Sequence, residues 1–230
     1  MKKSHILLIV IALITLTGMV ATDVLLKQQY GRIDWRNPYQ NFEKRPLPMA
    51  IHWVIEGTPS AEIVVLESVD SLQALIAPDM AEFYSTRQHG DTLFVKFTPD
   101  YVGYQGEPRN DADPDRKLSV RLVLRLPKLQ TLRIKDGRVT LSELKKDSLR
   151  VTLQNSRLRT VGMTIADMFS LVASQNSFAV FGSDQYKSLQ ATVQDSSGIW
   201  LNDTQVEAFA VQTSPKAEVQ LKGRALTWVK

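Results

Sequence analysis

Two hydrophobic patterns divide the chain. From Ile6 to Ala21 sixteen residues run with no charge and only Thr15, Thr17 and Gly18 among the aliphatic side chains. Lys2 and Lys3 precede the run, which is the layout of a secretory signal or a signal-anchor. As a helix it covers about 24 Å, short of a hydrocarbon core of about 30 Å. Val24, Leu25 and Leu26 extend it past Thr22 and Asp23. Ala21 suits the residue before a cleavage site, but Met19, two positions earlier, is too large for one. The flanks therefore favour an uncleaved anchor over residues 6–26, with a cleaved signal peptide as the alternative. The paired lysines place the N-terminus in the cytoplasm and the rest of the chain outside.

From Ile51 onward the pattern changes to short runs such as Ile63–Leu66, Leu93–Phe97 and Leu118–Leu126. In the last, Leu118, Val120, Leu122, Leu124 and Leu126 alternate with Ser119, Arg121, Val123 and Arg125. A period of two marks a strand with one buried face. Between the anchor and these strands, residues 27–48 read as a juxtamembrane linker, because Pro38, Pro46 and Pro48 interrupt any helix. One further helix is expected between Ser71 and Tyr84, weakened by Pro78. Residues 109–117 read as a polar loop.

A repeat begins near Leu129. Leu149, Phe169, Leu189 and Phe209 recur every 20 residues. Val151, Leu171, Ala191 and Val211 follow, then Leu153, Ala173, Val193 and Thr213, then the turn residues Asn155, Gln175, Asp195 and Pro215. A copy 19 residues earlier aligns Leu132, Ile134 and Asp136 with Val151, Leu153 and Asn155. One copy cannot cover its own apolar face, so parallel stacking about 4.8 Å apart, like over like, is the expected solution. The fold class expected is all-β: a parallel β-helix-like solenoid of about 20-residue coils after an N-terminal membrane helix. The alternative is an antiparallel β-sandwich. The irregular first part spans 49–128 and the regular coils 129–225, within one domain of 49–230. Asn155, Gln175 and Asp195 should stack on one edge, with Ser156, Asn176 and Ser196 beside them.

Charge and composition narrow the chemistry. The 230 residues are 43% apolar and 23% charged, with a net charge of +4 and no long basic run, so nucleic acid is not an expected partner. There is no cysteine, which excludes disulfides, thiol nucleophiles and thiolate metal sites. His5, His52 and His89 are the only histidines. His5 lies beside the membrane segment, and the other two have no nearby ligand pair. Asp111, Asp113 and Asp115 have the alternate spacing of a calcium loop, but Arg116 and Leu122 stand where Gly and Glu are needed. A solvated loop is the better reading. Trp35, Tyr39, Phe42 and Trp53 read as interfacial aromatics or as a cap on one open end of the stack, with Trp228 at the other.

Several segments together resemble a known family: Gly90-Asp91-Thr92-Leu93-Phe94-Val95, the strand Val120–Leu126 followed by Pro127-Lys128-Leu129, and the coils after it. Lys27, Tyr30, Asp34, Asn37 and Tyr39 after the apolar run add to the likeness. They are similar to the bacterial head-GIN domain, an auto-transporter adhesin-like family of unknown function, over most of residues 50–222. The resemblance implies a right-handed parallel β-helix and supplies no catalytic residues. Asp184, Asp195 and Asp203 invite comparison with β-helix enzymes acting on polysaccharide, but no second acid falls on the rung next to Asp195. The expectation is a non-enzymatic binding, adhesion or scaffolding domain of the cell envelope, its ligand a glycan or an envelope protein. No catalytic, cofactor or metal residue is assigned. The alternative is a polysaccharide lyase or hydrolase.

Overall fold

The computed structural model describes residues 3–32, 34, 37–58, 60–68, 71–99 and 119–228. The chain divides into two compact units, Met1–Asn41 and Phe42–Lys230. In the first, helix α1 spans Lys3–Tyr30, so it continues through Thr22 and Asp23 and takes up the start of the segment read as a linker. A helix of this length spans about 42 Å. Its large apolar residues are exposed on every side, which suits lipid and not a protein core. The hydroxyls of Thr15, Thr17 and Thr22 donate to the carbonyls of Ile11, Leu13 and Gly18 at 2.8–2.9 Å. Back-bonding of this kind satisfies a hydroxyl that has no water to bond. Among the described residues, His5–Tyr30 is the one helix long and apolar enough to cross a membrane, with a mean hydropathy of 2.3.

The second unit is built of strands. Seven precede the regular repeat: β1 (Glu43–Pro46), β2 (His52–Glu56), β3 (Glu62–Glu67), β4 (Gln73–Ile76), β5 (Tyr84–His89), β6 (Thr92–Phe97) and β7 (Val120–Leu126). Then come β8 (Thr131–Lys135), β9 (Arg138–Ser142), β10 (Lys145–Gln154), β11 (Arg157–Val161) and β12 (Thr164–Ser174). The last are β13 (Phe178–Phe181), β14 (Gln185–Val193), β15 (Gly198–Leu201), β16 (Gln205–Thr213) and β17 (Glu218–Leu221).

They form two mixed sheets around one apolar core. The first runs β1-β4-β7-β3-β9-β11-β13-β15-β17 and the second β16-β14-β12-β10-β8-β2-β6-β5. The pairs β1–β4, β4–β7 and β5–β6 are antiparallel and lie at one end. Through residues 149–213 all pairing is parallel, with no hairpin. Two layers over a shared core are a sandwich-like arrangement, whereas the parallel pairing is that expected of stacked coils.

The register bears out the aligned positions. Leu149 pairs with Phe169, Phe169 with Leu189, and Leu189 with Phe209. Leu132 and Ile134 pair with Val151 and Leu153. The turn residues Asp136, Asn155, Gln175 and Asp195 all have positive φ, between 47° and 56°. Asn and Asp tolerate this left-handed region best among side-chain-bearing residues, which explains a turn ladder built without glycine. Asn155 Nδ2 donates to Asp136 Oδ1 at 2.7 Å, and the Gln175 amide to Asp195 Oδ2 at 3.0 Å.

The serine ladder differs by one residue from the expected Ser156, Asn176 and Ser196. The amide of Ser156 donates to Ser177 Oγ and that of Ser177 to Ser197 Oγ, each at 3.0 Å. All three serines are buried. The cause is one extra residue in each of the two later turns, Asn176 and Ser196, since Arg157, Phe178 and Gly198 share a register while Leu153, Ala173 and Val193 share another. Replacing Ser177 with Ala removes the acceptor for Ser156 and the donor to the Ser174 carbonyl. We expect a loss of about 1–3 kcal/mol in urea unfolding, from a buried amide left unpaired. Ser196→Ala, on the position predicted from sequence alone, should cost much less.

Three further expectations are corrected. The helix between Ser71 and Tyr84 does not form: β4 and a short 3-10 turn at Ala81–Phe83 stand there. Ala74, Leu75 and Ile76 are all buried, which suits a strand covered on both faces and not a one-faced helix. Part of the linker, Glu43–Pro46, is strand β1 on the sheet edge. The parallel pairing also starts earlier than residue 129, because β2 pairs in parallel with β8 and β3 with β9. The β2–β3 turn then lies beside the β8–β9 turn. A Cβ on Gly57 would come within 2.9 Å of Gly137 Cα, so glycine is required where these two turns touch.

Since β2 separates β6 from β8, and β3 separates β7 from β9, the strands β2 and β3 are laid between later ones. The short connection from β7 to β8, residues 127–130, must pass over them.

Candidate binding surfaces

Outward positions on the second sheet line up across strands. One row reads His52, Thr131, Arg150, Ser170, Gln190 and Ala210. The next reads Arg133, Thr152, Val172, Thr192 and Gln212. Rows of short hydroxyl, amide and guanidinium groups at strand spacing give a flat, hydrogen-bonding face. His52 Nδ1 lies 2.8 Å from Thr131 Oγ1, so this histidine is a member of the row. His89 is exposed at the far side of Thr92.

The passage of residues 127–130 over β2 and β3 leaves a groove beside this face, with a cavity volume of about 480 Å³. Lys128, Gln130, Lys146, Asp147, Arg150 and Ser170 supply its polar lining. Lys146 is occupied: its Nζ sits 2.6 Å from Glu67 Oε1 and 3.3 Å from the Pro127 carbonyl. Lys128 and Arg150 are exposed and leave the groove with cationic donors. Asp147 is the one acid in the lining, so the paired carboxylates of glycoside hydrolysis are missing there.

The outward face of the first sheet is different. Arg157 stacks over the Phe178 ring at 4.8 Å and Lys222 over Trp200 at 5.1 Å. Trp200 Nε1 donates to Glu218 Oε1 at 3.0 Å. Burial pulls the Arg157 guanidinium below its ordinary pKa. Glu62, which is buried, accepts a short hydrogen bond from Thr140 and lies 3.9 Å from the Arg159 guanidinium. These cations are spoken for within the sheet.

No protein-family model matches the chain, and no curated protein sequence is similar to it. Solved structures give distant likenesses. A candidate adhesin from Bacteroides fragilis is 13% identical, over 80% of this chain and 94% of that one, with a TM-score of 0.41. A candidate cell adhesion protein from Clostridium sporogenes is 8% identical, over 78% and 97%, with a TM-score of 0.30. A candidate lipid binding protein from Parabacteroides distasonis is 14% identical, over 78% and 97%, with a TM-score of 0.24.

The three aspartates weighed as catalytic acids fall apart in space. Asp184 is buried at the corner before β14. It accepts hydrogen bonds from the Met163 amide at 2.8 Å, the Gly182 amide at 3.1 Å, Tyr186 OH at 3.3 Å and, more closely, Thr160 Oγ1. Burial pushes its carboxyl above the usual range, and these four donors pull it back. Tyr186 is raised by burial and by the Asp184 charge. The Tyr186 ring packs on Phe169 and Phe181 at 5.2 and 5.8 Å, so the carboxylate faces the core and not solvent.

Asp195 sits beyond the other end of β14, and the nine-residue strand between the two is roughly 30 Å long. Asp203 is an exposed turn residue. No acid pair forms among them. Sequence reasoning singled out Asp184 for its chemistry and missed its role as a corner clamp. The signal was its position: Leu144, Met163, Asp184 and Thr204 occupy equivalent places, as the amides of Thr164, Gln185 and Gln205 show by bonding Leu144, Met163 and Asp184.

Asp111, Asp113 and Asp115 lie outside the described residues. Among the described residues no three His, Asp or Glu side chains cluster as metal ligands. Trp53 is corrected from interfacial or capping residue to core residue: it is buried between β6 and β8, and its Nε1 donates to the Ala50 carbonyl at 3.2 Å. Phe42 packs half-buried against the core. Tyr39 is half-buried within the first unit. Trp35 lies outside the described residues, as does the side chain of Trp228.

Proposed function

We propose that residues 49–230 form a stack of about 20-residue β-coils, a right-handed β-helix-like solenoid, that binds an anionic envelope glycan or envelope protein without chemical turnover. Helix α1 anchors it in the bacterial inner membrane through residues 6–26, with the domain outside the cytoplasm. The observation that carries the reading is the flat row His52, Thr131, Arg150, Ser170 and Gln190, beside a groove where Lys128 and Arg150 are exposed. Regular polar spacing over several strands suits weak, extended contacts, whereas catalysis needs a closed pocket with paired acids or bases. The resemblance to the head-GIN family supports the solenoid.

The full chain, purified in detergent, should retain acidic glycans or one envelope protein on an array and in pull-downs. Replacing both Lys128 and Arg150 with Glu should weaken retention at least tenfold with an unchanged melting curve. Turnover of a uronate polymer that disappears when one aspartate is replaced would overturn the proposal.

The anchor makes a separate prediction. Mass spectrometry of the mature protein should find the N-terminal segment intact. A new terminus near residue 22 would make it a periplasmic or secreted protein. Protease added to spheroplasts should digest the domain and spare α1.

A further inference from the structure

The two ends of the stack are finished differently. At one end the edge strands are β1 and β5. β1 is four residues, Glu-Lys-Arg-Pro, with Arg45 paired to Glu43 at 2.8 Å. β5 runs antiparallel to its one neighbour, β6, and five of its six residues are exposed and polar. Short length, charge, proline and reversed direction are the devices that keep a sheet edge from pairing.

At the other end the edge strands are β16 and β17, and β16 has none of these devices. It is nine residues long, Gln-Val-Glu-Ala-Phe-Ala-Val-Gln-Thr, with one charge, no proline and no glycine. Ala208 to Thr213 are exposed except for half-buried Phe209. The 3-10 turn Gly223–Trp228 buries Ala225 against the end of the core and touches β16, but leaves Leu226, Ala208 and Ala210 to Thr213 exposed. A long, apolar, nearly uncharged edge is the kind that recruits another strand.

Its backbone is poised for self-pairing. The Ser214 amide donates to the Val193 carbonyl. Alternation along the strand then turns Gln212, Ala210 and Ala208 toward β14, and leaves Phe209, Val211 and Thr213 with N–H and C=O facing outward. In an antiparallel pair of two such edges centred on Ala210, Phe209 of each copy exchanges hydrogen bonds with Val211 of the other. The two Ala210 residues fall at a non-hydrogen-bonded position, where strands approach most closely and a small side chain fits best. Glu207 meets Thr213, so no like charges are opposed.

We infer that β16 pairs with β16 of a second copy of this chain, antiparallel and about a two-fold axis at Ala210. The inference is independent of which ligand the groove takes.

Because the chain has no cysteine, Ala210→Cys gives a single reactive site. Opposed Cα atoms at such a position lie about 4.5 Å apart, within disulfide range. Under mild oxidation the full chain in detergent should form a disulfide-linked dimer from Ala210→Cys. It should form far less from Thr86→Cys, at an exposed site on the opposite edge. Sedimentation of the unmodified chain should give the mass of a dimer. Ala210→Lys, harmless to an isolated chain at this exposed site, should weaken association at least tenfold with the thermal melt unchanged. A chain that stays monomeric over the accessible concentration range, or equal cross-linking at both cysteine sites, would overturn the inference.

Discussion

Leu171→Asp is expected to abolish cooperative folding of the second unit. Leu171 is fully buried and lies between Val151 and Ala191 on neighbouring strands. A carboxylate there has no partner above or below it, and like residues stack on like, so the fault falls in the middle of a continuous column. An unpaired charge in such a place costs at least about 4 kcal/mol, a large part of the roughly 5–15 kcal/mol that holds an ordinary domain together. Circular dichroism during urea titration should show no unfolding transition. Leu171→Ala, which leaves only a cavity, should keep a transition shifted by about 2–5 kcal/mol.

The second large effect is expected at Asp184. Alanine there strands the Met163 amide and the Thr160 hydroxyl, while the Gly182 amide keeps the Thr160 carbonyl and the Tyr186 hydroxyl keeps Thr160 Oγ1. They lie at the buried corner before β14. Leaving two buried donors unpaired costs about 2 kcal/mol or more. The pH dependence has a defined sign. The folded-state pKa of Asp184 is raised, chiefly by burial, so its linkage contribution is fully present below the unfolded value of about 3.9. That contribution is lost as pH rises through the folded value. The advantage of the native chain over Asp184→Ala should therefore be greatest near pH 4 and smaller near neutrality, measured as the difference between their urea midpoints. An advantage that grows with pH would contradict the assignment of burial as the dominant cause.

Much of this architecture is legible in the sequence because parallel stacking repeats one environment. Leu149, Phe169, Leu189 and Phe209 share a neighbourhood, so they share a character, and period-two alternation with a 20-residue step exposes both the strand and its register. Asn155, Gln175 and Asp195 are legible as turns for a related reason: each occupies the same left-handed corner.

What is not legible breaks the one-to-one step. One extra residue in each of the two later turns moves the serine ladder from Asn176 and Ser196 to Ser177 and Ser197. The strands β2 and β3 pair with strands more than 70 residues later, and no fixed period reports so distant a neighbour. Ala74, Leu75 and Ile76 carry no alternation because both their faces are covered, so a short apolar run there admits helix and strand alike. The groove is illegible for a different reason. It exists because residues 127–130 cross over the inserted strands β2 and β3, which follows from the strand order and not from any local motif.

The outward rows of the second sheet and the edge strand β16 both depend on the parallel register, and a pair of cysteines tests it directly. Arg150 and Ser170 are register partners on the outward face, about 4.8 Å apart as adjacent strands. Arg150 and Gln190 are two strands apart, about 10 Å and beyond disulfide reach. In the cysteine-free chain, Arg150→Cys with Ser170→Cys should close an intramolecular disulfide on mild oxidation, found by peptide mass mapping. Arg150→Cys with Gln190→Cys should leave both thiols free. Failure of the first pair to close, or closure of both pairs alike, would contradict the parallel stack.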